Sequence, residues 1–335
     1  MAPRVSILLP VRNAASTLPE ALRSLQAQSL ADFEVILVDD GSSDDSVSIT
    51  RTTWGDDPRL RLLTPGRVGL IEALRVGLDA CKAELVARMD ADDIAMPERL
   101  AQQVALADER PEVAAVACLV ECFPAENVAE GYRLYETWIN GLVEHDEIVR
   151  EIFVESPLAH PSVLFRKQSV VDVGGYRDRD WPEDYDLWLR LYRAGHRFAK
   201  VPHVLLRWRE DPQRHSRTHP RYSEDAFLRC KSHHLTRGPL RDRGDIVVWG
   251  AGAVGRRLAK YLREDDVSIA AWVDIDPKKI GRHLHDAPIV APEELKTFRS
   301  RFLIAAVGSR GARRLIRERL VSLGWRENDE FLFAA

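Results

Sequence analysis

The chain has 335 residues, of which 45% are hydrophobic and 30% charged, and its 48 basic and 52 acidic side chains give a net charge of −4. This composition is typical of a globular protein, and the near-neutral balance excludes bulk nucleic-acid binding from the predicted functions. The four cysteines fit neither a zinc site nor a disulfide framework, and no apolar run reaches the ~18 residues of a membrane span, so a cytoplasmic protein is predicted.

Strand and helix signals alternate along the chain. In the first part of the chain the pattern predicts strands at 5–9 (ended by Pro10), 34–38, 60–63 and 85–89. Between and after them it predicts a helix opened by a capping box at 17–20, a helix from Ser43, a helix at 69–81 and a helix from Pro97. Further along it predicts strands at 113–120 and 162–166 and helices at 139–153, 184–193 and 222–235. The polar, basic stretch 207–221 is predicted to be a loop over the site or a domain boundary. This order indicates an α/β fold with a mostly parallel central sheet and helices on both faces.

Two of the predicted strands end on clusters of carboxylates. Asp39 and Asp40 follow one strand, and Asp90, Asp92 and Asp93 follow another. The carboxyl ends of parallel strands meet at the edge where open α/β folds bind ligands. So much negative charge is costly unless a divalent cation or a donor-rich ligand is bound there. Oxygen ligands of this kind suit Mg²⁺ or Mn²⁺, which favour phosphate oxygens, so the pattern predicts a site for a metal-bound diphosphate.

Each acidic segment also has a purely structural explanation. Asp39 and the serines that follow it suit a turn with a helix N-cap, and the 90–93 carboxylates suit a capping cluster before the helix that Pro97 opens. Glu183 and Asp184 suit the first turn of a helix because of the helix dipole. Since all the clusters occur in one chain, a shared site is favoured over separate structural roles.

Several motifs in a fixed order resemble a known family. They are SILLPVRN at 6–13, VDDGSS at 38–43, RVGLIEAL at 67–74, DAD at 90–92, AHPS at 159–162, GGY at 174–176 and EDYDLW at 183–188. Over roughly residues 4–235 the chain resembles the family 2 inverting glycosyltransferases of the GT-A fold. The resemblance implies a nucleotide-diphospho-sugar transferase fold and a sugar nucleotide as donor.

The resemblance also implies roles for the residues of these motifs. The expected nucleoside-binding residues are Pro10, Arg12, Asp39, Asp40 and Asp90. In the Asp-x-Asp motif, Asp92 is expected to ligate Mn²⁺ or Mg²⁺, and Asp90 to contact the ribose or the metal. Asp184 is the expected catalytic base, which would take the proton of the acceptor hydroxyl, and a neighbour such as Glu183 could raise its pKa by repulsion.

Five further residues are expected to contact the diphosphate or the sugar: Arg67, Glu183, His160, Arg214 and His215. A guanidinium fork such as that of Arg67 suits a phosphate. A histidine before proline, as at His160, is more often buried or part of a turn than a ligand. The basic residues of the 207–221 stretch fit a solvated surface loop equally well.

A second unit is predicted after a boundary near residue 240. The chain is expected to divide into a GT-A domain at 1–240 and a small Rossmann-like module at 241–335. Gly250, Gly252 and Gly255 form a G-x-G-x-x-G fingerprint between a strand and a helix, and Asp274 ends the next strand. Binding of a second nucleotide or NAD and a purely structural role are equally compatible with this module.

The predicted function is metal-dependent, inverting transfer of a sugar from a nucleoside-diphosphate sugar, with UDP as the default nucleotide. By resemblance, the acceptor is a glycan or lipid-linked hydroxyl in a surface polysaccharide pathway, with peripheral contact at the inner face of the membrane. Two rival hypotheses are an NAD-dependent oxidoreductase centred on the C-terminal glycines and a non-catalytic sensor of nucleotide sugars.

Overall fold

The computed structural model describes residues 2–212 and 214–335, with the side chain of His215 outside the described part. Two compact units are present. The first comprises residues 2–148, 157–179 and 183–218, and the second comprises 149–156, 180–182 and 219–335. The predicted boundary near residue 240 stays a prediction, and the contacts group the helix before it with the second unit.

The first unit contains a sheet of eight strands. The strands are β1 Val5–Val11, β2 Phe33–Asp39, β3 Leu60–Leu63, β4 Leu85–Arg88, β5 Ile94–Ala95, β6 Val113–Phe123, β7 Leu164–Arg166 and β8 Arg197–Arg209. The helices are α1 Leu18–Gln26, α2 Ser46–Trp54, α3 Leu70–Ala80, α4 Arg99–Glu109, α5 Glu130–Asn140, α6 His145–Glu151, α7 Lys167–Asp172, α8 Glu183–Arg193 and α9 His215–Thr218, with a 3-10 turn at His160–Ser162. Helix α6 ends within the segment 149–156 of the second unit.

The strand order of this sheet is β3-β2-β1-β4-β7-β6-β8-β5. Strands β3, β2, β1 and β4 pair in parallel, as do β6 and β8, whereas β7 runs antiparallel to both of its neighbours. Every residue of β1 and β2 is buried, which explains their near-continuous apolar sequences, since helices cover both faces of a parallel sheet. The predicted α/β class with a mostly parallel central sheet is confirmed.

The prediction that Pro10 ends the first strand is wrong. Strand β1 continues to Val11, whose carbonyl accepts the amide hydrogen of Asp40 at 2.8 Å. A proline is tolerated here because it lies at the end of the strand, where one missing donor disturbs little of the ladder.

The predicted capping box at the start of α1 is wrong. Thr17 has helical backbone angles (φ −110°, ψ −30°), not the extended angles of a capping residue, and among the described residues its side chain makes no cap. Its hydroxyl donates instead to the carbonyl of Ala91 at 3.0 Å, and Glu20 pairs with Arg209. The side chains expected to stabilise the helix locally therefore attach it to other segments, Thr17 to the acidic loop after β4 and Glu20 to the end of β8.

Two other predicted boundaries differ from the structure. The helix expected at 139–153 is two helices, α5 and α6, separated by residues 141–144. The stretch 207–221, expected to be a loop, begins as the last residues of β8 and contains the short α9. Pairing of β8 with β6 and β5 supplies backbone hydrogen bonds there, and these outweigh the polar composition of the segment.

The second unit contains a six-stranded sheet in the order β11-β12-β10-β9-β13-β14. Its elements are α10 Glu224–Thr236, β9 Ile246–Trp249, α11 Ala253–Glu264, β10 Ile269–Val273, β11 His283–Leu284, β12 Ala287–Val290, β13 Leu303–Ala305, α12 Ala312–Ser322 and β14 Phe331–Phe333, with 3-10 turns at Pro220–Tyr222 and Pro292–Phe298. Along this sheet β12, β10, β9, β13 and β14 are parallel to one another, and β11 pairs antiparallel with β12. In the described part of the chain, no helix combines the length and apolarity needed to cross a bilayer.

Candidate active site

The candidate site lies where β1, β2 and β4 end. Val11 of β1 is in register with Asp39 of β2, and Leu8 of β1 is in register with Arg88 of β4. Since these three strands are parallel neighbours, the segments that follow them emerge at the same edge of the sheet. The sheet therefore brings Pro10, Arg12, Asp39 and Asp90 to one edge.

Asp39 has an unusual hydrogen-bonding state. Its side chain is only 5% exposed. One carboxylate oxygen, Oδ2, accepts the amide hydrogen of Ser42 at 3.2 Å, whereas Oδ1 is buried and has no hydrogen-bond partner within the described residues. A buried acceptor without a partner is costly, so this oxygen is positioned to accept a hydrogen bond from a ligand.

Asp40 has a structural role that the sequence did not indicate. Its Oδ1 accepts the amide hydrogens of Val68 and Gly69, both at 2.7 Å, and Arg12 lies 4.0 Å from Oδ2. The carboxylate thus holds the loop that carries Arg67. Gly41, at φ +64°, allows this close approach, because a Cβ there would lie 2.8 Å from the amide nitrogen of Arg67.

The second acidic segment forms a compact cluster. Asp90, Asp92 and Asp93 each offer an oxygen within 4.8 Å of the others. The buried guanidinium of Arg88 pairs with Asp90 at 2.5 Å. Burial, followed by the charge of Asp90, raises the pKa of Asp92. The chemistry and spacing of these oxygens fit a hard divalent cation.

Asp93 belongs to this cluster although no role was predicted for it. Its side chain is 0% exposed, and burial and then the charges of Asp92 and Asp90 raise its pKa well above the ordinary range. Oδ1 accepts the amide hydrogen of Arg209 at 2.8 Å, and Oδ2 has no partner in the ranges 2–212 and 214–335. A free buried oxygen beside two other carboxylates supports the fit of a cation.

Arg209 was also missed, because the sequence showed only a basic segment there. Its Nε donates to the carbonyl of Asp92 at 2.6 Å, and its guanidinium lies 4.4 Å from the ring centroid of Phe123. The end of β8 therefore supports the acidic loop through the amide and the guanidinium of Arg209. The pairing of β5 with β8, which creates this contact, was not readable from the local sequence.

Asp184 lies in the first turn of α8, next to the buried Glu183. Its Oδ1 accepts the amide hydrogen of Tyr185 at 2.7 Å. Burial, followed by the charge of Glu183, raises the pKa of Asp184 to about 8, and Asp90 contributes to the same shift. Asp186, in contrast, pairs with Arg190 at 2.7 Å.

His160 is part of the packed interior. Its Nε2 lies 2.8 Å from the hydroxyl oxygen of Tyr176, and its ring meets Trp188 edge-on at a centroid distance of 5.9 Å. Burial, followed by the nearby charge of Arg88, lowers the pKa of His160 well below the usual range. A neutral histidine that positions Tyr176 is therefore the role that the geometry supports, and the expected contact of His160 with the diphosphate or the sugar stays a prediction.

Arg214 lies beside the acidic cluster. It donates to Glu210 Oε1 at 3.0 Å, and its guanidinium lies 4.9 Å from the ring centroid of Trp208. Burial opposes the charged form, yet the charges of Asp93 and Asp92 raise the pKa of Arg214. His215, the other predicted contact in this segment, begins α9, and its side chain lies outside the described residues.

Three glycines of the second unit, at 250, 252 and 255, shape the turn from β9 into α11. A Cβ on Gly250, at φ +122°, would lie 2.6 Å from the carbonyl oxygen of Ala306, and one on Gly255 would lie 1.9 Å from that of Gly250. For Gly252, a Cβ would meet nothing within 4 Å in the described structure. The first and third glycines thus allow close packing, and the second leaves open space at the start of α11.

Asp274 closes the loop that contains these glycines. Its Oδ2 accepts the amide hydrogen of Ala251 at 3.1 Å and pairs with Lys279 at 2.8 Å. Burial works against the charged form, but these hydrogen bonds lower the pKa of Asp274 below its ordinary value. A ribose at this position would therefore compete with Lys279 for the carboxylate.

The geometry of the first unit can hold an anionic ligand through a cation. Its acidic loop offers three carboxylates for the cation, Asp39 offers a buried acceptor, and Arg214, whose pKa is raised by the charges of Asp93 and Asp92 against the effect of burial, offers a positive charge. The ionised form of Asp184, which predominates above its pKa of about 8, can accept a proton.

Comparison with known proteins gives the family and the fold. The model of glycosyl transferase family 2 matches residues 6–174, and a model described as C2185-like, N-terminal, matches residues 243–329. The amylovoran biosynthesis glycosyltransferase AmsE of Erwinia amylovora is 34% identical over 193 residues, which cover 57% of this chain and 70% of that protein.

Two solved structures share the fold. The S. aureus TarS 1–349 structure in complex with UDP-GlcNAc has a TM-score of 0.56 at 18% identity, covering 79% of this chain and 73% of that one. The mannosyltransferase PcManGT from Pyrobaculum calidifontis, in complex with GDP-Man and Mn²⁺, has a TM-score of 0.50 at 21% identity, covering 79% and 69%. Together with the family match and the central sheet, these likenesses show that the chain belongs to glycosyl transferase family 2 and is a glycosyltransferase with a GT-A type fold.

Proposed function

We propose that this glycosyltransferase moves a sugar from a nucleoside-diphosphate sugar, with UDP as the first candidate nucleotide, to a hydroxyl acceptor with inversion at the anomeric carbon. One observation carries the proposal: Asp90, Asp92 and Asp93 each offer an oxygen within 4.8 Å of the others, at the sheet edge where Asp39 also lies. Asp184, in the first turn of α8, is the proposed proton acceptor, and its raised pKa of about 8 supports that role. A proton acceptor beside a cation-binding cluster is what a single displacement on a sugar diphosphate requires.

The nucleoside is expected to bind at the ends of β1 and β2. Asp39 Oδ1, buried and without a partner in the described part of the chain, would accept a hydrogen bond from the base or the ribose. Pro10 and Arg12 border this edge, and Asp40 would act by holding the 67–69 loop in place. Arg67, fixed by that loop, would lie at the diphosphate or the sugar.

A divalent cation fits the acidic cluster. Asp92 would be its principal ligand, with Asp90 and Asp93 beside it, and Mn²⁺ or Mg²⁺ suits these oxygens. When bound, such a cation supplies a Lewis acid that stabilises charge on the leaving diphosphate. The solved mannosyltransferase that shares the fold was crystallised with Mn²⁺, which supports this assignment.

The chain's own residues would divide the remaining work. Asp184 would accept the proton of the acceptor hydroxyl as its oxygen forms the bond to the anomeric carbon, while the bond to the diphosphate oxygen breaks and its electrons leave with the diphosphate. Glu183 would keep the pKa of Asp184 high by like-charge repulsion. Arg214, and His215 by resemblance, would receive the diphosphate.

The acceptor is proposed to be a glycan or lipid-linked hydroxyl in surface polysaccharide biosynthesis. The relative AmsE is named for such a pathway, which supports this class. A cytoplasmic location with peripheral contact at the inner face of the membrane would suit a lipid-linked acceptor.

The C-terminal unit is proposed to be a Rossmann-like module over residues 241–335, preceded by a GT-A domain at 1–240. The parallel order β12-β10-β9-β13-β14 supports this, because it is the 3-2-1-4-5 order of doubly wound folds. Gly250, Gly252 and Gly255 are compatible with a second nucleotide or NAD. The pairing of Asp274 with Lys279 favours a structural role over NAD binding.

A thermal-shift screen with a transfer assay tests the function. UDP-, GDP- and dTDP-sugars and NAD would each be added with and without Mn²⁺, since a ligand that binds only the folded state raises Tm. We expect a sugar nucleotide to raise Tm in an Mn²⁺-dependent way and to be consumed when acceptor is present. A shift with NAD alone would favour the oxidoreductase, and donor binding without turnover on any acceptor would favour the sensor.

A further inference from the structure

Glu210 follows the last residue of β8 and is 1% exposed. Its amide hydrogen is donated to the carbonyl of Phe123 at 2.7 Å, which fixes its backbone beside β6. A carboxylate buried to this extent requires compensating partners. Glu210 is therefore a buried residue whose charge must be compensated, although it lies in a basic, polar segment.

Two arginines from the following segment occupy both oxygens of Glu210. Arg214 donates to Oε1 at 3.0 Å, and Arg217 pairs with Oε2. Each guanidinium also lies over an aromatic ring, Arg214 over Trp208 at 4.9 Å and Arg217 over Tyr132 at 3.7 Å. These contacts fix the position of both cations.

The two arginines differ in what else they face. Arg209, the residue before Glu210, donates its amide hydrogen to Asp93 Oδ1 at 2.8 Å and its Nε hydrogen to the carbonyl of Asp92 at 2.6 Å. These bonds place Glu210, and Arg214 on its Oε1, next to the acidic cluster. Burial opposes the charged form of Arg214, but the charges of Asp93 and Asp92 raise its pKa. Arg217 contacts Glu210 and Tyr132, and so offers a matched control.

We infer that Glu210 is a positioning residue that holds Arg214 away from the Asp90–Asp92–Asp93 cluster, so that the cluster remains available to a divalent cation and the guanidinium to the diphosphate. The inference rests on the proposed function. Without Glu210, Arg214 would pair with the cluster carboxylates and compete with the cation. Without Arg214, the cluster would lose a competing positive charge and bind the cation more tightly.

The test measures binding of Mn²⁺ alone to the full chain, by the loss of the free-ion EPR signal or by calorimetry, with no nucleotide present. We expect Arg214→Gln to tighten Mn²⁺ binding by about fivefold or more, because it removes a nearby positive charge. Glu210→Gln should weaken Mn²⁺ binding by a similar factor, because it frees Arg214 to pair with the cluster carboxylates. Arg217→Gln should change the affinity less than about twofold, because its guanidinium is held over the ring of Tyr132 and Arg214 remains paired with Glu210 in this variant. The double variant Glu210→Gln with Arg214→Gln should behave as Arg214→Gln alone, since Glu210 acts through Arg214.

Donor kinetics give a second readout. Both Arg214→Gln and Glu210→Gln should raise the donor KM, although they shift Mn²⁺ affinity in opposite directions. Loss of folding alone would weaken Mn²⁺ binding in every variant, so tighter binding by Arg214→Gln cannot come from general damage. Unchanged or weaker binding in Arg214→Gln, or unchanged binding in Glu210→Gln, would overturn the inference. A wild-type chain that binds no Mn²⁺ would instead contradict the proposed metal dependence, and the inference with it.

Discussion

The guanidinium of Arg88 lies 2.5 Å from the carboxylate of Asp90, two residues further along the chain. Arg88 is buried, and its positive charge offsets one of the three negative charges in the acidic cluster. Asp92 has no such arginine pair among the described contacts, and its pKa is raised by burial and by Asp90. The pairing therefore distinguishes Asp90, which Arg88 orients, from Asp92 and Asp93, whose negative charges a bound cation would stabilise.

Asp92→Ala should remove most of the affinity for the divalent cation. Since even loss of an outer partner of a metal site costs roughly 10–100-fold in affinity, loss of a direct ligand should cost about 100-fold or more. The measurement is Mn²⁺ titration by calorimetry, and the Mn²⁺-dependent part of the donor-induced Tm shift should disappear. Asp44→Ala, which removes an exposed carboxylate bound to Ser46, is the control. Unchanged Mn²⁺ affinity in Asp92→Ala would refute the metal assignment.

Asp184→Asn should lose transfer while donor binding is retained. A general base contributes about 10²–10⁴-fold to the rate, so kcat should fall by about that factor with little change in donor affinity. In the wild type, kcat should rise about tenfold per pH unit at low pH and level off near pH 8, because only the ionised carboxylate can accept the proton. Glu183→Gln should move this profile to lower pH, since the charge of Glu183 raises the pKa. A pH profile that is the same with and without Asp184 would remove it as the base.

The same residue predicts a dependence of stability on pH. The pKa of Asp184 is about 8 in the folded protein against an ordinary value of 3.8, so the folded state binds more protons and loses stability as pH rises from about 4 to about 8. An asparagine side chain cannot ionise, so Asp184→Asn should raise Tm, and the gain should be larger at pH 8 than at pH 5. Thermal unfolding at several pH values measures this, and an equal gain at both pH values would contradict the assigned shift.

Much of the fold was predictable because it depends on local patterns. The buried strands β2 and β4 are largely apolar runs that lead into carboxylates, and their parallel pairing on either side of β1 places those carboxylates at one edge. The acidic residues of the site could be selected from the sequence for this reason. Their separate roles could not, because Asp39 and Asp40 are adjacent in sequence but face different partners.

The contributions of distant segments were not predictable from local sequence. Arg209 supports Asp92 and Asp93 across more than a hundred residues, through a pairing of β8 that no local pattern indicates. The hydroxyl of Thr17 likewise binds the carbonyl of Ala91 in place of its own helix. In both cases a tertiary hydrogen bond replaced the role that local propensity favoured.

Asp39→Asn should weaken nucleotide binding without unfolding the protein. A hydrogen bond to a charged acceptor contributes about 1.5–3 kcal/mol, so UDP affinity should fall by roughly 10–100-fold. Stability should be retained or increased, because the substitution removes a buried charge whose Oδ1 has no partner in the described structure. Asp40→Asn is the contrasting variant and should lower Tm, since Asp40 holds the amides of Val68 and Gly69. UDP calorimetry and thermal unfolding of both variants check this, and equal UDP affinity in Asp39→Asn and wild type would contradict the assigned pocket.

Gly255→Ala should destabilise the second unit, whereas Gly252→Ala should not. A Cβ on residue 255 would lie 1.9 Å from the carbonyl oxygen of Gly250, and backbone at that distance must move, at a cost of about 1–3 kcal/mol or more. A Cβ on residue 252 would meet nothing within 4 Å among the described atoms, and the φ of Gly252, −88°, is one that alanine adopts readily.

Urea unfolding, monitored by the fluorescence of the buried Trp249 and Trp272 of this unit, separates the two variants. Because Gly252→Ala leaves the packing intact, any loss of nucleotide or NAD binding in that variant would reflect a ligand that approaches the start of α11. Equal stability of the two alanine variants would mean that the third glycine is not required for the close contact of helix and strand.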